Sequence, residues 1–496
     1  MGAILRSRWQ PLAALAVALA GALVARWVSW HVFEGLPHLE DEFAFLWQAH
    51  VMARGEFALP SPPEPKAFLV PFVVDYGGLR FAKYPPGWPA ALSLAVRLGA
   101  PWLANALLGA FSLWLTYRLG ERVRDGSLGL LAAALSLLSP MYWMLSGSLM
   151  SHIFSLFLAL AFLHAWLDLQ GLGRGAGKAP GPLVAAAGGG ALGLLVITRP
   201  LTAVGIAFPV GLHAVWLSWR NGRRLRWGVA LAGWSLAVAA LLPLWQAALT
   251  GNPWMNLYTL WWPYDRLGFG PGIGVTATGH DIYKALHNTQ FSLRVGLHDL
   301  FGWPFLSWIF LPFGLWALRR ARAFRLALLT FFSLVVAYGF YWVGSWTYGP
   351  RYYFEALPGL AVASAAGVQW LARGPGMRAR RLAVTALLAT LIAGNLLFYL
   401  PARLGMLGGL NDIRRVHMEP IQRAGLSRAL IVVHLFESWR EYGTLLPLTP
   451  PFASNELIIV VNTGPQAIAR IKAHFPGWPV YDYYPGPAGG LVPRSP

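Results

Sequence analysis

The chain has 496 residues, of which 56% are hydrophobic and 12% charged, roughly half the charged share of a soluble globular domain. That balance excludes a string of soluble domains and implies an all-α polytopic membrane protein. The 39 Lys and Arg against 20 Asp and Glu give a net charge of +19. In a chain of this class the excess reports which side of the bilayer each cation faces, not a nucleic-acid partner. Cysteine is absent, which removes disulfides, thiolate metal sites and cysteine nucleophiles.

Apolar runs approaching the ~20 residues of a membrane helix predict about 11 spans, at residues 9–30, 102–119, 128–145, 149–167, 183–197, 201–219, 227–249, 303–318, 326–343, 357–371 and 382–400. The first is preceded by Arg6 and Arg8 in the manner of a secretory signal. It continues to Trp27 and Trp30, however, and reads as a retained anchor. The apolar segment 86–98 is about half a span long and follows Pro85-Pro86.

Laid in the outer interface, that segment lets every basic cluster fall inside: Arg6/Arg8, Arg118/Arg122/Arg124, Arg174/Lys178, Arg220/Arg223/Arg224/Arg226, Arg319/Arg320/Arg322/Arg325 and Arg373/Arg378/Arg380/Arg381. If it crossed, every later cluster would change sides. The reading is therefore a multi-pass protein of the cytoplasmic (inner) membrane, N-terminus inside and C-terminus outside. Residues 1–400 form the transmembrane body, with outer loops 34–101 and 250–302. Residues 401–496 form a small extracytoplasmic α/β module with strands at 429–434 and 457–461 and a helix beginning at Pro465. Its tail, Leu491-Val-Pro-Arg-Ser, resembles a thrombin cleavage site.

Span centres are nearly free of ionisable groups, whereas polar groups gather at the outer surface. Such placement suits chemistry on a substrate whose head group lies at the interface. After the first span, Phe43, Leu46, Trp47, His50 and Val51 recur at helical spacing and predict an amphipathic helix lying in the outer interface. Asp41 and Glu42 fall in its first turn, where the helix dipole favours ionised carboxylates. By residue type they read either as helix caps or as an acid pair able to take a proton from a nucleophilic hydroxyl.

The Asp41-Glu42 pair, the Ala53-Arg54-Gly55-Glu56 after it, Lys83-Tyr84-Pro85-Pro86 before an apolar interfacial segment, and the topology together resemble the GT-C superfamily of integral-membrane glycosyltransferases. The similar branch is that of protein O-mannosyltransferases and aminoarabinose-to-lipid-A transferases. The resemblance covers the body to about Leu400. It implies a hexosyl or pentosyl transferase that takes sugar from a polyprenyl-phosphate donor on the outer face and passes it, with inversion, to a lipid, glycan or protein acceptor. By the same resemblance Asp41 is the general base and Glu42 its neighbour at the reacting centre.

A departing lipid phosphate needs cations, and Arg351, Lys83 and Arg199 face outward on this topology. Each also reads as a residue snorkelling to head groups or paired with a carboxylate. Tyr84 and Tyr352 beside these cations, His152, and Tyr264, Asp265 and Arg266 in the Trp- and Tyr-rich second outer loop are expected substrate contacts, the loop reading equally as an aromatic interface belt. Many relatives carry an acid where this chain has His152. His152 reads as a hydrogen-bonding substitute or metal ligand, or as an interfacial histidine satisfied by Ser148 or Ser151. No recognised metal spacing occurs, so no metal or other cofactor is assigned, while a divalent cation stays open. A P-loop and a dinucleotide fingerprint are both absent. Two other classes compete: a non-catalytic lipid-linked glycan binder on the same scaffold and, less favoured for lack of mid-span ionisable groups, a transporter or flippase.

Overall fold

The computed structural model describes residues 2–174, 181–220, 225–373, 376–435, 438–449, 451, 456–486 and 490–494. Of the residues used above, Lys178, Arg223, Arg224, Ser495 and the side chains of Arg6, Arg8 and Arg220 lie outside that description.

Six helices among the described residues are long and apolar enough to cross a bilayer: Trp9–His31, His152–Leu169, Pro200–Trp219, Arg226–Thr250, Arg322–Gly339 and Met377–Gly405. The expected span at 128–145 is instead two helices, Gly126–Leu138 and Pro140–Gly147, bent by 64°. Pro140 supplies no N–H to the preceding turn and pushes Ser139 out of the helical region, to φ −66°, ψ 124°. Counted as one broken span, the pair makes seven. The other four expected spans coincide with helices Leu103–Val123, Pro182–Val196, Leu311–Leu318 and Leu357–Leu371, which are shorter or carry more charge. The ambiguous segment forms a helix, Gly87–Arg97, of 11 residues. At 1.5 Å per residue that is about 16 Å, half of a bilayer core.

Leu357–Leu371 is central: every residue from Leu357 to Val368 is buried. Its Gly- and Ala-rich sequence explains how. A Cβ on Gly314 would stand 1.7 Å from the Ala363 carbonyl oxygen, and one on Gly367 2.0 Å from that of Phe310. Only hydrogen fits at either contact, so the two backbones pack directly.

The helix containing the acid pair, Glu40–Ala53, is not an interfacial raft. Phe43, Ala44, Phe45, Trp47, Gln48, Ala49 and Val51 are all buried. Phe43 packs edge-on against Trp439 at 5.6 Å, while Phe45 meets Tyr84 at 4.6 Å on the body side. Of the face that the sequence pattern assigned to lipid, Phe43 is covered by the chain's C-terminal part, while Trp47 and Val51 are buried in the core of the body.

Two small sheets lie among these outer segments. Strands Leu59–Pro60, Val73–Tyr76 and Leu79–Ala82 form an antiparallel sheet in which Tyr76 pairs with Leu79. The two-residue loop Gly77-Gly78 has φ of 58° and 81°, the left-handed turn a tight hairpin requires. This hairpin delivers Lys83, whose N–H then bonds the Phe72 carbonyl at 3.0 Å. In the second sheet, Ala429–Val433 is flanked by Leu457–Val461 and Val480–Tyr483, all parallel, with Leu491–Pro493 antiparallel at the edge. The helix Pro465–His474 follows Leu457–Val461. The Val461 N–H bonds the Ala67 carbonyl at 2.7 Å, tying this sheet to the first outer loop.

Candidate active site

Asp41 and Glu42 are neighbours with different surroundings. The residue capping their helix is Leu39, and no side chain caps it, so neither acid serves as the cap. Asp41 Oδ1 instead accepts a hydrogen bond from Tyr84 Oη at 2.6 Å. Glu42 turns inward and is buried. Its Oε2 accepts from the Leu149 N–H at 2.9 Å and its Oε1 from Tyr348 Oη at 3.0 Å. Burial pushes the Glu42 carboxyl up to about 7, although these two hydrogen bonds pull the other way. Glu42 thus joins three segments beside Asp41 with both oxygens engaged.

Lys83 sits in an aromatic cage. Its ammonium lies 3.6 Å from the Phe72 ring centroid, 4.4 Å from Trp262 and 5.4 Å from Tyr258, a placement that attracts a desolvated cation. Asp265 Oδ2 is its ionic partner at 3.4 Å, with both side chains almost fully buried. Burial lowers the Lys83 pKa and Asp265 opposes the shift. Asp265 Oδ1 in turn accepts from Tyr341 Oη and Trp342 Nε1, each at 3.1 Å. Asp265, expected to touch substrate, is therefore engaged by protein partners. Arg266 is exposed, and its Nε donates to the Pro263 carbonyl at 3.1 Å; it turns away from this cluster. Tyr264 packs edge-on against Trp342 at 5.4 Å and parallel to Trp262 at 6.0 Å.

Arg199 anchors a second cluster. Its Nη2 donates to Tyr338 Oη at 2.8 Å, its Nε to Thr202 Oγ1 at 3.1 Å, and its Nη1 lies 2.5 Å from His152 Nε2. Glu355 stands 3.8 Å from its Nε. His152 thus finds its partner in Arg199 rather than in Ser148 or Ser151. Tyr352 stacks on Tyr338 at 4.4 Å and 5°, and Arg351 lies over the Tyr352 ring at 5.6 Å. Tyr338, Tyr348, Tyr258 and Glu355 were not among the expected site residues.

The two clusters share one electrostatic neighbourhood. The Asp41 charge acts on Lys83, on Arg351 and on Tyr258 and Tyr352, while Arg199 acts on Arg351, Tyr258 and Tyr352. Asp41 and the three expected cations are thus linked through these interactions. Among the described residues, no three His, Asp or Glu side chains come together as a metal-binding group.

No protein-family model matches the sequence, and no curated protein matches it significantly. Solved structures do match its fold. ArnT from Cupriavidus metallidurans bound to undecaprenyl phosphate superposes with a TM-score of 0.58 at 15% identity, over 95% of this chain and 92% of that one. The oligosaccharyltransferase AglB from Archaeoglobus fulgidus, in complex with an inhibitory peptide and a dolichol-phosphate, gives 0.56 at 13% identity, over 96% and 70%. The same archaeal enzyme tethered to an acceptor peptide containing the NVT sequon gives 0.57 at 14%, over 96% and 69%. The chain is a multi-pass membrane protein with the GT-C fold.

Proposed function

We propose that this protein is a glycosyltransferase that moves a sugar from a polyprenyl-phosphate donor to an acceptor hydroxyl at the extracytoplasmic face of the cytoplasmic membrane. The body then crosses about 11 times, N-terminus inside and C-terminus outside, with residues 401–496 as an outer module. The observation that carries this reading is Asp41 held by Tyr84 Oη at 2.6 Å, with Tyr84 next in sequence to the buried Lys83 that pairs with Asp265 at 3.4 Å. The lipid phosphates held by ArnT and AglB, undecaprenyl and dolichol phosphate, support the donor class.

In this mechanism Tyr84 holds Asp41 through Oδ1, leaving Oδ2 for the acceptor. The acceptor hydroxyl loses its proton to Asp41 as its oxygen bonds the anomeric carbon, and the bond from that carbon to the phosphate oxygen breaks on the opposite side. Attack opposite the leaving group inverts the anomeric centre. Polyprenyl phosphate departs with the bonding electrons, and Arg351, Arg199 and Lys83 stabilise its charge. Glu42 keeps Asp41 and the Tyr348–Arg351 segment in register, and the rings of Tyr264 and Tyr352 offer faces to the sugar.

The test is transfer by the purified full chain from a panel of polyprenyl-phosphate sugars to lipid, glycan and peptide acceptors, compared with Asp41→Asn. Transfer with inverted product, lost at least about a hundredfold in the variant, is expected. Equal turnover would overturn Asp41 as base. Tight donor binding with no transfer to any acceptor would favour a lipid-linked glycan binder.

A further inference from the structure

The pairing of His152 with Arg199 dictates where the imidazole proton sits. A guanidinium only donates, so at 2.5 Å from Arg199 Nη1 the His152 Nε2 must be the acceptor. The ring is therefore neutral with its proton on Nδ1. That Nδ1–H is buried and has no protein partner among the described residues, and the same holds for Arg351 Nε. Each such orphan costs about 1–3 kcal/mol. The charges of Arg199 and Arg351 both bear on His152. Glu355, an acid beside this group, lies 3.8 Å from Arg199 Nε, and neither of its buried oxygens accepts a hydrogen bond among the described residues.

The orphaned groups of His152 and Arg351 are both N–H donors, so their unmet demand is for an anion. The cluster is poorly suited to a divalent cation, which needs carboxylate oxygens or nitrogen lone pairs. His152 has no lone pair to give: one nitrogen accepts from Arg199 and the other carries the proton. Glu42 has both oxygens engaged, as has Asp265. Asp41 and Glu355 are left, and each lies in the field of a guanidinium that would repel the ion, Arg351 for Asp41 and Arg199 for Glu355.

We propose that His152 is a neutral Nδ1–H donor to the departing phosphate, held in that tautomer by Arg199, and that with Arg199 and Arg351 it replaces a divalent cation, so that transfer is metal-independent. Glu355 is a positioning residue that holds Arg199 from behind. This inference rests on the lipid-phosphate transferase reading.

Three measurements on the full chain in nanodiscs test it. Turnover in excess EDTA stays within about twofold of the untreated rate, and Mn2+ shows no stoichiometric bound signal in electron paramagnetic resonance. The 15N shifts of labelled protein give His152 as the Nδ1–H tautomer. His152→Ala weakens binding of undecaprenyl phosphate roughly ten- to hundredfold, as loss of one hydrogen bond to a charged group requires, and His152→Asn restores part of it. Loss of turnover in EDTA with rescue by Mn2+, or a proton found on Nε2, overturns the proposal while leaving the transferase reading intact. Absence of both lipid-phosphate binding and transfer in the wild type overturns the transferase reading itself.

Discussion

Tyr84 Oη donates to Asp41 Oδ1 at 2.6 Å, joining the first outer helix to the residue that follows the caged Lys83. Burial and the nearby Asp41 charge raise the Tyr84 pKa well above its ordinary value, so the phenol stays a donor at every working pH. The contact holds Asp41 in one orientation. Tyr84→Phe is expected to lower kcat roughly ten- to hundredfold, the worth of a hydrogen bond to a charged group, with little change in KM. Steady-state kinetics, with a thermal melt to verify folding, checks this. An unchanged kcat would mean that Asp41 needs no such support.

Lys83 and Asp265 are each almost wholly buried, so removing one strands the other. Breaking such a pair costs about 3–5 kcal/mol, whereas replacing both charges with apolar groups costs much less. Asp265→Leu alone should therefore melt many degrees below wild type, and Lys83→Met/Asp265→Leu should recover much of the loss while remaining inactive. If the double variant were no more stable than Asp265→Leu, the pairing would carry no energetic weight.

The acid pair and the cations were legible because an ionisable group beside a membrane span is costly and rarely idle. Asp41, Lys83, Arg199 and Arg351 all stood out on that ground. Glu355, just before the apolar run at 357–371, meets the same criterion as Arg351. Tyr338 and Tyr348 carry no such signal, since their role depends on segments far away in sequence meeting Arg199 and Glu42. The break at Pro140 was readable from proline chemistry alone. The burial of Glu40–Ala53 was not, because the side chain covering Phe43 is Trp439, near the other end of the chain.

Glu42 gives a pH dependence whose sign can be worked out. Burial raises its pKa from 4.5 to about 7, so between those values the folded protein holds a proton that the unfolded chain has lost. Its contribution is fully present below about pH 4.5, declines as pH rises through 7 and is then level. The shift corresponds to a total on the order of 3 kcal/mol. Melting temperature should therefore fall between pH 5 and 7.5 more steeply in wild type than in Glu42→Gln, which cannot ionise. Parallel profiles would show that Glu42 does not titrate in this window.

Gly87 opens the helix Gly87–Arg97 at the point where it meets the turn before Arg199. Its N–H bonds the Ile197 carbonyl at 2.7 Å, and a Cβ there would stand 2.3 Å from Thr198 Oγ1 and 2.7 Å from that carbonyl oxygen. Backbone cannot yield as a flexible side chain can, so Gly87→Ala must push the helix off the turn. That displacement shifts the Lys83–Pro86 segment relative to the turn that carries Arg199, and Lys83 and Arg199 are both cations proposed to meet the donor phosphate. Overpacking of this kind costs about 1–3 kcal/mol, and kcat should fall along with stability. Gly190 is the contrast, since nothing lies within 4 Å of its Cβ position in the helix Pro182–Val196. Gly190→Ala should melt at or above the wild-type temperature, because alanine is the better helix former. Thermal melts and turnover measured on both variants separate a clash at one turn from a general intolerance of substituted glycines.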